Sequence, residues 1–221
     1  MIKAVLFDLD GTLINSLDDL ADSANYVLNR SGYPTHGTEK YKYFVGNGIP
    51  KLIERILPED KRTNDIKLKL LNDFLNRYRL HCMDKTRPYE GMTELIKRLK
   101  NDGYHLAVVT NKAHEMAVKI TEKFFYGSFS VICGKQDGFP AKPDPQLTLK
   151  IIEDLGLAPK DCAFVGDSGV DVLTAKNAGC ISIGALWGFR TRQELIDSGA
   201  DFLAETPLEI FDILKNLNLQ I

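Results

Sequence analysis

An α/β fold is predicted: a doubly wound parallel sheet, Rossmann-like, interrupted by an inserted α-helical segment. Short, mainly apolar runs recur along the chain, amphipathic stretches separate the later ones, and between the first run and the second lies far more chain than one crossover helix needs. The runs are Ala4 to Phe7, Leu106 to Val109, Phe129 to Cys133, Cys162 to Val165 and Ile181 to Ala185, each too short for a helix and suited to a strand buried on both faces. Met92 to Leu99, Ala113 to Phe124, Pro145 to Leu155 and Val170 to Ala178 carry apolar residues three and four apart, the spacing of one helix face. The insert opens at Ser16-Leu17-Asp18-Asp19, the pattern of a capping box, ahead of Leu20, Ala21, Ala24, Val27 and Leu28 at helical spacing. Further helices fit Ile49 to Leu57 and Asp65 to Cys82, and Arg87-Pro88-Tyr89-Glu90-Gly91 marks the return. The expected division is a core of residues 1–14 and 86–221 and a helical insert of residues 15–85.

Composition narrows the function classes. With 221 residues, 44% hydrophobic and 26% charged, the chain is that of a folded globular protein and excludes disordered and coiled-coil classes. Its charge, 28 − 30 = −2, supplies no basic footprint for a nucleic-acid partner. No apolar run approaches the length of a membrane span, and the start reaches a carboxylate at Asp8, too early for a signal peptide, so a cytoplasmic location with no membrane partner is expected. Cys82, Cys133, Cys162 and Cys180 lie far apart and pair with no histidine at zinc spacing, as reduced thiols do. Charge is unevenly divided: His36 to Arg87 holds 12 Lys and Arg against 7 Asp and Glu, a net of +5, leaving −7 elsewhere. Most such cations solvate helix faces; some are candidates to meet an anionic substrate.

In an open α/β sheet ligands bind outside the carboxyl ends of the strands. There the sequence places Asp8-Leu9-Asp10-Gly11-Thr12 after the first run, Thr110-Asn111-Lys112 after the second, and Gly166-Asp167-Ser168-Gly169-Val170-Asp171 after the fourth, with Lys142-Pro143-Asp144-Pro145 ahead of the preceding helix. Carboxylates gathered at one sheet edge repel, so they need a cation, a protonated member or both. An all-oxygen site without His or Cys suits Mg2+. Lys142 and Thr110 offer a positive charge and a hydroxyl donor to a phosphate. A carboxylate can attack phosphorus to form an aspartyl phosphate while a second moves the proton, and Asp8 and Asp10 are the candidates. Gly166-Asp167-Ser168-Gly169 is not the Gly-x-Ser-x-Gly of a serine hydrolase, and none of His36, His81, His105 and His114 is spaced to serve it as a base.

On these residues the chain resembles the haloacid dehalogenase superfamily of phosphatases: Asp8 to Thr12 match its Asp-x-Asp-Gly-Thr pattern, Thr110 its hydroxyl motif, Lys142 its lysine and Gly166 to Asp171 its acidic motif, in order. The resemblance implies Asp8 as nucleophile and Asp10 as acid/base. It implies Thr110, Asn111 (through its backbone) and Lys142 as the phosphate grip. Mg2+ would be bound by the Asp8 and Asp167 carboxylates and the Asp10 carbonyl, with Asp171 as a ligand or a partner through water. The insert's position resembles the family's helical cap, which closes over the site and selects substrate.

Within the insert, Phe44-Val45-Gly46-Asn47-Gly48-Ile49-Pro50-Lys51 with Leu52-Ile53-Glu54-Arg55 resembles the corresponding segment of phosphoglycolate phosphatases. The implied substrate is a small phosphorylated metabolite, 2-phosphoglycolate, cleaved to glycolate and phosphate. Lys42, Asn47, Lys51 and Arg55 are candidates to recognise its carboxylate. Pyrophosphate and sugar phosphates are alternative substrates. A β-phosphoglucomutase-like phosphomutase shares the first half of the chemistry, although Thr12 follows Gly11 as in the phosphatases, where the mutases more often carry Val. A non-catalytic phosphate-binding protein would lack one of Asp8, Asp10 and Lys142, all present here. The expected assembly is a monomer or homodimer.

Overall fold

A computed structural model of the chain describes residues 1–219. In chain order the elements are β1 (Ala4–Phe7), β2 (Ile14–Asn15), α1 (Leu17–Arg30), α2 (Thr38–Phe44), α3 (Ile49–Ile56), α4 (Asn64–His81), β3 (Arg87–Pro88), α5 (Met92–Asn101), β4 (His105–Ala113), α6 (His114–Phe125), β5 (Val131–Lys135), α7 (Gln146–Asp154), β6 (Cys162–Gly166), α8 (Gly169–Ala178), β7 (Ile181–Ala185), α9 (Arg192–Asp197), β8 (Phe202–Ala204) and α10 (Pro207–Leu219). The chain divides into two compact units, one of Met1–Ile14 with the chain from Pro88 onward, the other of Asn15–Arg87.

The first unit is a six-stranded sheet in the order β5-β4-β1-β6-β7-β8, and every neighbouring pair is parallel. Counting these strands along the chain gives 3-2-1-4-5-6, the doubly wound order, which reverses direction between β1 and β6. β1 is central, so Ala4, Val5, Leu6 and Phe7 are all buried. Ala4 and Leu6 point to the face where Ala107, Val109 and Phe164 meet Ile151 and Ile152 of α7 and Ala175 of α8. Truncating Leu6 to Ala there would cost about 2–5 kcal/mol.

Several elements depart from the sequence expectation. β4 continues to Ala113, past the expected Val109, and its pairing with β5 is irregular between those residues. α2, α9, β8 and α10 were not anticipated. α2 buries only Tyr41, α9 only Leu195, and β8 is three residues long, so none carries a periodic apolar signal.

The second unit is helical. Tyr41, Leu52, Ile53, Leu70, Phe74 and Tyr78 are buried in it together with the apolar face of α1, and Phe74 stacks on Tyr78 with centroids 5.3 Å apart. The capping box expected at Ser16 and Asp19 does not form: Ser16 makes no side-chain capping bond. The buried Asp19 carboxylate instead accepts hydrogen bonds from the Lys85 N–H (2.9 Å) and from the Thr86 N–H (2.8 Å) and hydroxyl (2.7 Å). These donors, distant in sequence, satisfy a charge that burial would otherwise make costly. Among the described residues no helix is long and apolar enough to cross a membrane.

Candidate active site

The site is built at the carboxyl edge of the sheet, where β1, β4 and β6 lie side by side. β1 stays paired to its end, the Asp8 N–H donating to the Val165 carbonyl at 2.9 Å, so Asp8 is fixed by the sheet. The chain then folds back: Thr12, Leu13 and Ile14 donate their N–H groups to the Leu9 carbonyl. Gly11 makes that turn with φ of +91°, and a Cβ there would run into the Asp167 carboxylate.

Asp167 leaves the end of β6 and is gripped from two directions. The Thr12 hydroxyl donates to its Oδ1 at 3.0 Å and the Phe189 N–H to its Oδ2 at 2.8 Å. Gly188 admits the second donor, since a Cβ at that position would also collide with Asp167. Trp187 anchors this loop by donating its indole N–H to the Thr12 carbonyl at 3.0 Å. Asp171 and Ser168 form the capping box of α8. Its carboxylate oxygen Oδ2 accepts from the Ser168 N–H and hydroxyl, and Oδ1 from Lys142 Nζ at 2.6 Å.

Lys142 is buried and bridges two acids, its Nζ lying 2.9 Å from Asp8 Oδ1 as well. Asn111 clamps the Lys142 peptide reciprocally, its amide donating to the Lys142 carbonyl at 3.2 Å and its oxygen accepting from the Lys142 N–H at 2.8 Å. Thr110 is buried at the same strand end, its hydroxyl oxygen accepting from the Lys112 N–H at 3.3 Å. Asp10 separates from Asp8 and takes its own cation: Lys112 Nζ lies 2.9 and 3.0 Å from its two carboxylate oxygens.

The electrostatics follow from this packing. Burial pushes the Asp8 carboxyl up to about 6, Lys142 pulling it down and Asp171 pushing it further up. Burial, then Asp171 and Asp8, raise Asp167 to about 8 against the hydrogen bonds from Phe189 and Thr12. Burial disfavours the Lys142 ammonium, yet the adjacent Asp171 and Asp8 outweigh it and hold its pKa above the ordinary lysine value. Oxygens of Asp8, Asp167 and Asp171 all lie within 4.8 Å of one another. Among the ion pairs of the described residues, Lys142 is the cation on these three acids, and Asp8 Oδ1, though close to it, lacks hydrogen-bond geometry. A buried set of hard oxygen donors in excess of the local positive charge fits a divalent cation. The Asp10 carboxylate lies on Lys112, so any part Asp10 has in metal binding falls to its backbone carbonyl.

The four candidates in the helical unit are occupied locally. Lys42 pairs with Glu39 at 2.8 Å and Lys51 with Glu54 at 2.9 Å, both partly exposed. Arg55 donates to Asn47 Oδ1 at 2.7 Å and to the Phe44 carbonyl at 3.0 Å, which ties α3 to the loop before it. Sequence reasoning missed Lys112, the side-chain work of Asn111 and the backbone donor of Phe189. Lys112 was within reach, since a lysine two residues after a strand-end threonine stands beside the same sheet edge; Phe189 gave no signal, because any residue but proline has its N–H.

Residues 5–185 match the family of haloacid dehalogenase-like hydrolases. A phosphoglycolate phosphatase of Chromobacterium violaceum is 34% identical over 219 residues, covering 97% of each chain. One from Neisseria meningitidis is 36% identical over 221 residues, covering 97% of this chain and 94% of its own. Among solved structures, a predicted phosphoglycolate phosphatase from Haemophilus somnus superposes with a TM-score of 0.89 at 31% identity, covering 96% of this chain and 98% of that one.

Proposed function

The chain belongs to the haloacid dehalogenase-like hydrolases and is a phosphoric monoester hydrolase, and within that class we propose that it cleaves 2-phosphoglycolate to glycolate and phosphate in a Mg2+-dependent reaction through an aspartyl phosphate on Asp8. The observation that carries this proposal is the contact of one buried lysine with two of three clustered carboxylates at the sheet edge, which in this reading serve as nucleophile, phosphate-binding charge and cation site. The names of the full-length relatives support the substrate.

In the proposed mechanism Asp8 attacks phosphorus as the bond to the glycolate oxygen breaks, and the Asp10 carboxyl delivers its proton to that oxygen. Asp10, now a carboxylate, takes a proton from the water that attacks the aspartyl phosphate, releasing phosphate and restoring Asp8. Lys142, held by Asn111, neutralises the phosphoryl oxygens, and the Thr110 hydroxyl helps to orient them by hydrogen bonding. Asp8, Asp167 and the Asp10 carbonyl would hold the magnesium ion, with Asp171 beside them, and the ion would supply Lewis-acid charge at the phosphoryl group.

Recognition of the substrate carboxylate is assigned to Lys42 and Lys51, whose exposed ion pairs exchange at little cost. Asn47 and Arg55 are assigned to shaping the loop between α2 and α3.

Phosphate release from a panel of 2-phosphoglycolate, pyrophosphate, nucleoside monophosphates and sugar phosphates, with Mg2+ and with EDTA, tests the proposal. A strong preference for 2-phosphoglycolate, abolished by EDTA, is expected. Even hydrolysis across the panel would remove the substrate assignment. Conversion of β-glucose 1-phosphate to the 6-phosphate without free phosphate would replace the hydrolase by a mutase.

A further inference from the structure

We infer that Lys112 is a positioning residue for the proton-transferring carboxylate of Asp10, an inference that rests on the role proposed for Asp10 above. Two successive residues in the C-terminal part of β4 each fix a different part of the site: Asn111 brackets the peptide of Lys142, and Lys112 reaches Asp10. The pairing of β4 with β5 is irregular between Val109 and Ala113, the stretch that holds both residues.

The Lys112 side chain is 1% exposed and that of Asp10 19%, so the ammonium lies beneath the carboxylate. The Asp10 carboxyl offers the buried ammonium an acceptor oxygen in both its charged and its protonated form, so the contact persists while the proton moves. The ammonium's near-equal distances of 2.9 and 3.0 Å to the two oxygens make the grip bifurcated. The carboxyl can turn one oxygen toward the reacting atoms while the other stays on Lys112, and it needs no free swing of the side chain. Lys112 keeps its own proton throughout; the proton that moves is the one Asp10 gives to the leaving oxygen and later takes from water.

Loss of this hold costs orientation, and misplacement of a catalytic group by about 1 Å is worth roughly a hundredfold in rate. The test compares Lys112→Met, Lys112→Arg and Asp10→Asn on the best substrate of the panel. For Lys112→Met, kcat is expected to fall about a hundredfold with KM near the native value and with unchanged inhibition by inorganic phosphate, which reports an intact Asp8–Lys142 site. Lys112→Arg, which keeps a cation on Asp10, should recover most of the loss, and it is the informative variant if Lys112→Met does not fold. In the Asp10→Asn background, Lys112→Met should add little. A rise in KM with kcat unchanged would make Lys112 a substrate ligand and overturn the inference, as would native kcat in Lys112→Met or failure of Lys112→Arg to rescue. Native activity in Asp10→Asn would instead remove the acid/base role of Asp10 itself.

Discussion

Asp8 differs from the other acids of the site in being held by the sheet itself, through its backbone bond to Val165, with its carboxylate against Lys142. Asp8→Asn keeps that backbone bond and the side-chain shape but removes the nucleophile proposed above; turnover should fall by more than about 10³-fold with the fold intact, read by phosphate release and circular dichroism. Asn111 acts one step further out. Asn111→Ala leaves the charge of Lys142 in place but frees its peptide, and kcat should drop about ten- to a hundredfold, whereas a role through the Asn111 backbone alone predicts no loss. Gly11→Ala is expected to be more damaging than its size suggests, because both the positive φ and the neighbouring Asp167 carboxylate exclude a Cβ. A crystal structure of that variant should show Asp167 displaced.

At the scale of elements, the site's side chains gather where β1, β4 and β6 reach the sheet edge, and α8 restrains them. α8 begins with a capping box whose Asp171 also faces Lys142, so one carboxylate both starts the helix and fixes the lysine. In the helical unit the corresponding anchor is Asp19, on α1, which gathers the Lys85 and Thr86 donors. Asp19→Ala strands these donors and should lower unfolding free energy by about 2 kcal/mol in urea titration. Its effect should be confined to stability, since its partners belong to the same unit. The loop from Tyr43 to Asn47 is held by Arg55, and Arg55→Ala is expected to raise KM through loss of loop shape, a loss that added guanidinium, a free charge alone, would not restore.

For the whole molecule, the clustered acids link stability to pH and, through the proposed magnesium site, to metal. The carboxyls of Asp8 and Asp167 stand at about 6 and about 8 in the folded protein, against an ordinary value of 3.8. Without metal, the native state therefore binds more protons than the unfolded chain across this range. Stability from these groups is fully present below about pH 4 and is lost as pH rises through about 6 and then about 8. Metal-free protein should show a Tm that declines from pH 5 to pH 8. Magnesium, which requires the deprotonated carboxylates, should raise Tm more at pH 8 than at pH 5. An equal rise at both values would mean that the ion does not bind to these acids.

The sequence by itself determined the doubly wound class and the sheet edge at which Asp8, Asp10, Thr110 and Asp167 gather, because apolar periodicity is a local property of a chain, but not where β4 ends, since it runs on through Thr110 to Ala113. Only the tertiary structure decided the partnerships. Lys112 belongs to Asp10 and Lys142 to both Asp8 and Asp171. Asp19 serves Lys85 and Thr86, distant in sequence, and Arg55 holds a loop. Each pairing joins residues whose separation is set by how strands and helices pack, and a buried charge takes whichever partner that packing brings within reach.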